Sequence, residues 1–600
     1  MSNPIFDIEE GVLKKYHGKE QTVTVPDGVK QIRGNAFIAN RHVEEIFIPN
    51  TVEIIENSAF AHCRNLKRIT LPEKLKEIPN GAFFHCNSLK EMRLPKGVES
   101  INIRAFSQCQ ELERIYIPST VTKISPDAFI GCIKLSRIEL DDINPVYSSV
   151  DGNLYRENGT VIFLYAPGKQ DREVTIPEGV TVIGDSAFSR CRSIVKVTVP
   201  EGVTRIEHNA FISCSNLTEV IIPTSIISIG ERAFYDCEHI TDIVLPNSLE
   251  YVGKNALYSC NGLTEIHIPD NVTEIRGGAF GNCRKLKKIT VSEKNKTYTA
   301  KDGVLYTQDG TTLVAFPPDK GIEHFTVPDG VQLIAASAFD GCRSLKTVTL
   351  PESLKEIDDY AFENCVSLEN VKFPKNVARI GVGAFIRCNS FTDIEIPGNV
   401  KNIGNFAFNH CGNLTSVKVC EGVLTIGDEC FSECIKLTKA VIPNSAEKLG
   451  EHLFFDCTDL IEVFIAPPQL PNYSQDLDMI IPAIRGCLAN YSSDSFPKEH
   501  AEILKELIGE NFNDIIEDLV NRPPHLRFIL DHADGILPIN TDPEAPSKKD
   551  DDTDETDNGE EIVHQITDAT SMLTVCSNVE CRTVLLNYIQ KHHTETDLVL

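Results

Sequence analysis

The chain is short of positive charge. It carries 58 Lys and Arg against 86 Asp and Glu, a formal net charge of −28 and a sequence pI near 5.0. Nonspecific binding to nucleic acid or to an anionic membrane needs a basic face, so that balance argues against both. A stretch of about 18 apolar residues is also missing, which excludes a transmembrane helix and integral membrane contact. The start, Met1-Ser2-Asn3-Pro4-Ile5, lacks a basic segment and an apolar core, so no signal peptide is visible. The expectation is a cytoplasmic protein; the alternative is a cell-surface or secreted one that leaves by a leaderless route. Chemistry-bearing motifs are absent too: no phosphate loop, nucleotide fingerprint, nucleophile elbow or His-Glu-x-x-His pattern occurs. Cys576 and Cys581 form no zinc spacing, and His592-His593 reads as a solvated tail. The acidic stretch around Asp550-Asp551-Asp552 lacks the central Gly and terminal Glu of a calcium loop. The sequence therefore implies no enzyme, no cofactor and no metal.

What is present is a period. Phe37, Phe60, Phe83, Phe106 and Phe129 sit 23 residues apart. The same step runs through Phe188, Phe211, Phe234, Leu257 and Phe280, and then through Phe339, Phe362, Phe385, Phe408, Phe431 and Phe454. These are sixteen copies in three blocks, with breaks of 59 residues and a 151-residue spacing between equivalent positions such as Phe37 and Phe188. A fixed period in this range is the mark of a leucine-rich-repeat solenoid.

One unit explains why copies stack. Leu66, Ile69 and Leu71 point one way and Arg68 and Thr70 the other, with the period of two that a strand requires. Pro72 lacks the next ladder donor and ends the strand. Val52 and Ile55 mark a shorter extended piece, and Ala59-Phe60 is expected to open a short helical turn that carries the ring inward. One unit cannot bury these side chains alone; neighbours share them, each ring lying on the next. The expectation is a mainly β repeat solenoid with a parallel sheet and short helical turns.

The run Ile229-Gly230-Glu231-Arg232-Ala233-Phe234-Tyr235-Asp236-Cys237, followed by Ile240, Ile243, Leu245 and Pro246, resembles the BspA-like, or Treponema pallidum-type, leucine-rich-repeat family. The resemblance covers roughly residues 21–468 and recurs sixteen times. It implies the solenoid fold and a binding role, as surface adhesin, antigen or interaction scaffold, and it implies no catalytic residues. Leu257 for Phe, Cys420 for Pro and Cys430 for Ala depart from the pattern locally.

Of twenty cysteines, fifteen hold one repeat position, from Cys63, Cys86 and Cys109 to Cys457. A buried Cys acts as a small hydrophobe with a weak donor. Ladder spacing exceeds the mean Cβ separation of a disulfide, and a single column offers no tetrahedral cage. The expectation is a ladder of reduced, buried thiols, which fits a reducing compartment.

The breaks carry Asn158-Gly159 and Asp309-Gly310 between apolar alternations, a strong hairpin signal. Two inserted β-hairpins that project from, or extend, the solenoid are expected, within about 141–176 and 292–327, and residues 1–20 read as an N-terminal cap. After the solenoid at 21–468, Ile480, Ile484 and Leu488 begin a pattern that predicts an α-helical C-terminal segment over 469–540. Residues 541–561 read as an acidic linker, expected to be disordered. Residues 562–600 read as a helix pair.

Recognition is expected on the outward strand positions. The first block presents Phe47, Arg68, Arg93, Arg114, Tyr116 and Arg137, an Arg and aromatic cluster of the kind that dominates interfaces. The second presents Glu219, Asp242 and Glu265 beside Ile221, Val244 and His267. These implied a noncatalytic protein-binding scaffold, with the first face taking an acidic protein or an anionic glycan. A secreted or surface adhesin engaging host matrix or glycans is the alternative.

Overall fold

A computed structural model describes residues 5–465, apart from 142, 143, 444 and 461. The predicted C-terminal helices at 469–540 and 562–600 and the linker at 541–561 lie outside the described residues. The chain divides into two compact units, one reaching residue 310 and including 314–320, the other starting at 321 and including 311–313.

In the first unit the repeat period is the strand register. Arg114–Ile117 lies parallel between Glu91–Arg93 and Arg137–Leu140, with Arg114 opposite Glu91 and Arg137, each 23 residues away. A second ladder of two-residue strands runs on the other side of the rung, where Ser100–Ile101 pairs with Glu77–Ile78 and Lys123–Ile124. Between the ladders the rings stack. Phe60 and Phe83 are 5.4 Å apart between centroids and Phe83 and Phe106 5.2 Å, tilted by 6° and 9°. Leu257 takes the ring's place and is fully buried. The second unit repeats the plan, from Phe339 on Phe362 at 4.7 Å to Phe431 on Phe454 at 5.8 Å.

Three features depart from the sequence expectation. The Ala-Phe corner is not a helical turn. Ser58 and His62, on either side of Phe60, both adopt left-handed backbone (φ 58° and 61°), which breaks any right-handed helical run. Among the described residues the only helical segment is the 3₁₀ turn Glu157–Gly159.

The breaks do not carry hairpins standing off a stack. Asn153–Arg156 is antiparallel to both Tyr147–Val150 and Val161–Leu164, and Val161–Leu164 continues in parallel with Val182–Ile183. The antiparallel strands are thus laid into the short-strand sheet. Val161, Ile162, Phe163 and Leu164 are all buried, so this strand is covered on both faces and cannot project into water. Phe6–Glu9 and Val12–Tyr16 pair in the same antiparallel way at the start of the chain, and Val12–Tyr16 runs parallel to Gln31–Ile32.

The long-strand sheet is not continuous. No ladder joins Arg68–Thr70 to Glu91–Arg93, or Asp242–Ile243 to Glu265–Ile268. The ring column crosses the first lapse without a gap, since Phe60 and Phe83 belong to those rungs.

Each block of the first unit ends on a side-chain cap. The Ile124 N–H, which the next rung would have satisfied, donates to the Tyr147 hydroxyl at 2.9 Å. The Ile275 N–H donates to the Tyr298 hydroxyl at 2.8 Å. Asn144 supports the first cap: its amide donates to the Val121 carbonyl at 2.8 Å while its oxygen accepts the Tyr147 N–H at 2.8 Å. Asn295 does the same with Val272 and Tyr298 at 3.1 and 2.8 Å. A ladder edge that ends in protein leaves donors to satisfy, and these residues satisfy them.

Candidate protein-binding faces

Both candidate faces lie in the first unit, on outward positions that the two-residue period leaves free once Ile46, Ile115 and Val220 turn inward. The structure divides the first face. Phe47 and Arg68 sit on one ladder, Arg93, Arg114, Tyr116 and Arg137 on another.

The arginines are not left to repel one another. Arg68 pairs with Glu45 across the rungs. Arg137 reaches Glu139 at 3.1 Å, Arg114 approaches the same carboxylate at 3.8 Å, and Arg93 comes within 3.9 Å of Asp141. Tyr116 organises the centre: the Arg93 guanidinium lies 4.0 Å above its ring, and Arg114 Nη1 donates to its hydroxyl at 2.9 Å. The patch is therefore an arginine–tyrosine cluster with built-in acidic partners rather than a field of bare cations. Asp141 escaped the sequence reading because it pairs on a diagonal, four residues from the column that holds Arg137.

The second face has the opposite electrostatics. Lys196 neutralises Glu219 at 2.9 Å and Lys288 stands opposite Glu265 in register, but no ion pair or side-chain hydrogen bond reaches the Asp242 or Glu265 carboxylate among the described residues. Ile221 is 42% exposed and Val244 69%. His267 Nδ1 lies 2.9 Å from the Thr290 hydroxyl.

Inside, the cysteine column is inert. Cys63 Sγ–H donates to the Phe37 carbonyl at 3.1 Å and Cys86 to Phe60 at 3.2 Å, a bond that recurs rung by rung. Burial pushes the Cys63 and Cys132 thiols up to about 12, so they stay protonated and weakly nucleophilic. Among the described residues no three His, Cys, Asp or Glu side chains converge to hold a metal ion. Nor is any described helix long and apolar enough to cross a membrane.

The BspA type leucine-rich repeat region matches residues 8–142, 168–301, 314–435 and 379–476, six copies in all. The chain belongs to that family. Among curated proteins nothing matches. Similar solved structures include a leucine-rich repeat protein from Eubacterium ventriosum, 28% identical, over 50% of this chain and 81% of that one, with a TM-score of 0.38. A leucine-rich cell surface protein from Faecalibacterium prausnitzii is 24% identical over 80% of this chain and 98% of that one, with a TM-score of 0.33. A leucine-rich repeat protein from T. pallidum is 28% identical over 33% of this chain and 78% of that one, with a TM-score of 0.24. At such scores the superpositions carry nothing about a partner.

Proposed function

We propose that this BspA-type repeat protein is a noncatalytic scaffold that binds another protein on the outward strand face of its first block. One observation carries the reading. Arg93 stacked on Tyr116, with Arg114 bonded to the same hydroxyl, presents three interface-prone side chains already fixed in place. Fixing them beforehand lowers the ordering cost of association, and guanidinium groups suit carboxylates on an acidic partner. Arg137 extends the cluster, while Phe47, 44% exposed, and Arg68 form a flanking contact on the neighbouring ladder.

Affinity capture with the intact chain tests this. Arg93→Glu with Arg114→Glu is expected to release the captured partner, and capture should weaken in 1 M salt, where the Debye length is about 3 Å. Retention of every partner at wild-type strength by that folded double variant removes the first block from consideration. Release by a soluble sulfated polysaccharide, with no protein recovered, would assign the face to an anionic glycan instead. A cytoplasmic site of action remains part of the proposal. A surface adhesin is the second reading, favoured by one observation: the ladder thiols are all buried, so they do not need a reducing compartment to survive. Fractionation of native cells separates the two.

A further inference from the structure

Phe47, the histidine stack at His62 and His85 and the second-block face are among the outward features of the described residues that the core does not use. The second-block face carries an inference furthest. We infer that the rungs Glu219–Ile221, Asp242–Ile243 and Glu265–Ile268 take an extended segment of a protein partner in which Lys or Arg alternates with apolar residues. The inference rests on the protein-binding reading and adds a second surface with its own partner chemistry.

Three observations converge there. First, the register that sets Glu219 opposite Asp242 and Val220 opposite Ile243 puts Ile221 and Val244 side by side one step further on. Both are exposed, so two adjacent rungs present an apolar strip. Second, Asp242 and Glu265 are one repeat apart and neither carboxylate makes an ion pair, although Lys288 stands opposite Glu265 in register, whereas every arginine of the first-block cluster has an acidic or aromatic partner. Like charges opposite one another destabilise a sheet, as Glu219 and Asp242 stand here, and an incoming cation removes that cost while gaining charge-assisted bonds. Third, the ladder opens at this point. The Val199 N–H donates to the Ile221 carbonyl at 3.0 Å, but the equivalent bond from Ile222 to Val244 is not made. The Val244 carbonyl thus lacks the backbone donor that the Ile221 carbonyl has, and the strip lies where the two rungs are less tightly joined.

The alternation follows from the face. Outward columns stand two residues apart along each strand, one acidic and one apolar, so an occupant must offer cationic and apolar groups within the same short span. Nucleic acid is excluded because its phosphates would meet Asp242 and Glu265 directly.

The test uses the full chain and a seven-residue acetylated peptide alternating lysine and valine, followed by fluorescence anisotropy at low and high salt. Asp242→Lys with Glu265→Lys is expected to weaken binding at least about tenfold, the scale of losing close charge pairs. Ile221→Ser with Val244→Ser should weaken it about threefold or more through lost apolar cover. Asp27→Lys with Glu73→Lys makes the same change of charge in the first block of the same unit and should leave affinity within about twofold, since those rungs lie several ladder spacings of about 4.8 Å away and exposed charges beyond a Debye length are screened. Equal loss in the two charge variants would mean the peptide senses only the overall negative charge, which overturns the inference. So would wild-type affinity in the Ile221 and Val244 variant, or no binding by the parent chain. Each substitution is on the surface, and melting curves check that the fold survives. Because the probe is a defined peptide, failure here leaves the Arg93 and Arg114 capture result standing, and failure there leaves this one.

Discussion

Phe60 and Arg68 belong to the same rung and obey opposite rules. At the Phe60 position fifteen of sixteen copies keep the ring and the other substitutes Leu257. At the Arg68 position successive copies read Glu45, Arg68, Glu91, Arg114 and Arg137. The inner column tolerates little variety, one Leu among the rings, because each ring is the floor of the next. The outer column varies because each side chain answers mainly to water and to one diagonal neighbour. Identity along the column identifies the fold, and variation along it is where a partner can be specified.

The largest break in that contrast should come from the inner column. Phe211 lies between Phe188 at 4.8 Å and Phe234 at 5.2 Å. Phe211→Ala is expected to cost about 3–5 kcal/mol, since it opens a cavity that the stack cannot close. Thermal or urea unfolding reads the loss, and an unchanged melting curve would deny that the ring supports its neighbours. Arg93→Glu with Arg114→Glu, on the outer column, should stay within about 1 kcal/mol of the parent chain.

The thiol column sharpens the comparison through pH. The ordinary thiol value is 9.0, and burial raises Cys63 and Cys132 to about 12. Above about pH 9 the unfolded chain therefore gives up thiol protons that the folded chain keeps. The stability present below pH 9 is expected to fall as pH rises toward 12. Urea midpoints at pH 7 and at about pH 10.5 measure this slope. Replacing Cys86 and Cys109 by Ala should flatten it, because burial raises both thiols. A slope unaffected by their removal would place the alkaline loss elsewhere.

At the block ends a single hydroxyl does the work of a missing strand. Tyr298→Phe removes the acceptor for the half-buried Ile275 N–H and is expected to cost about 1 kcal/mol, the low end of the range for leaving a donor unpaired. Tyr147→Phe should behave alike at Ile124. Hydrogen exchange at Ile275 and Ile124 reports the loss locally; unchanged protection would mean water replaces the hydroxyl.

How much of this could be read from sequence follows from what each feature depends on. Ladder register was legible because it equals the repeat period, as Arg114 opposite Arg137 shows. One more rung was readable by the same rule and was missed: Tyr165 lies 23 residues before Phe188 and stacks on it at 4.9 Å. Tyr16 stacks on Phe37 at 4.9 Å as well, but it lies 21 residues before it, so the period does not reveal it. The caps could not be read that way. Tyr147 and Tyr298 act through hydroxyls that meet a backbone donor one rung back, and only the folded chain shows which donors lack a strand. The first candidate face was legible as composition but not as electrostatics. Its charges are settled by Glu139, which the neighbouring column already offers, and by Asp141 on a diagonal, which column-by-column reading passes over.

The least visible feature gives the smallest and most discriminating prediction. The left-handed corner before each ring is filled by Gly81 (φ 59°) in one rung and by Arg104 (φ 52°) in the next, at equivalent positions. An L-residue pays roughly 1–2 kcal/mol for that conformation, while glycine does not. Arg104 is exposed, and its one ionic contact, Asp127 at 3.9 Å, is a surface pair of little strength. Arg104→Gly therefore trades strain against the greater freedom of glycine in the unfolded chain, and a net gain of about 0.5 kcal/mol is expected. Gly81→Ala runs the same trade backwards and adds a Cβ 3.1 Å from the Ser58 hydroxyl, so it should lose about 1 kcal/mol. Opposite signs from two substitutions one rung apart would show that the corner's backbone, and not its side chain, sets the cost. Matching signs would show that the corner relaxes to suit its occupant, and the rung would then be less rigid between ring and strand than the stacked column implies.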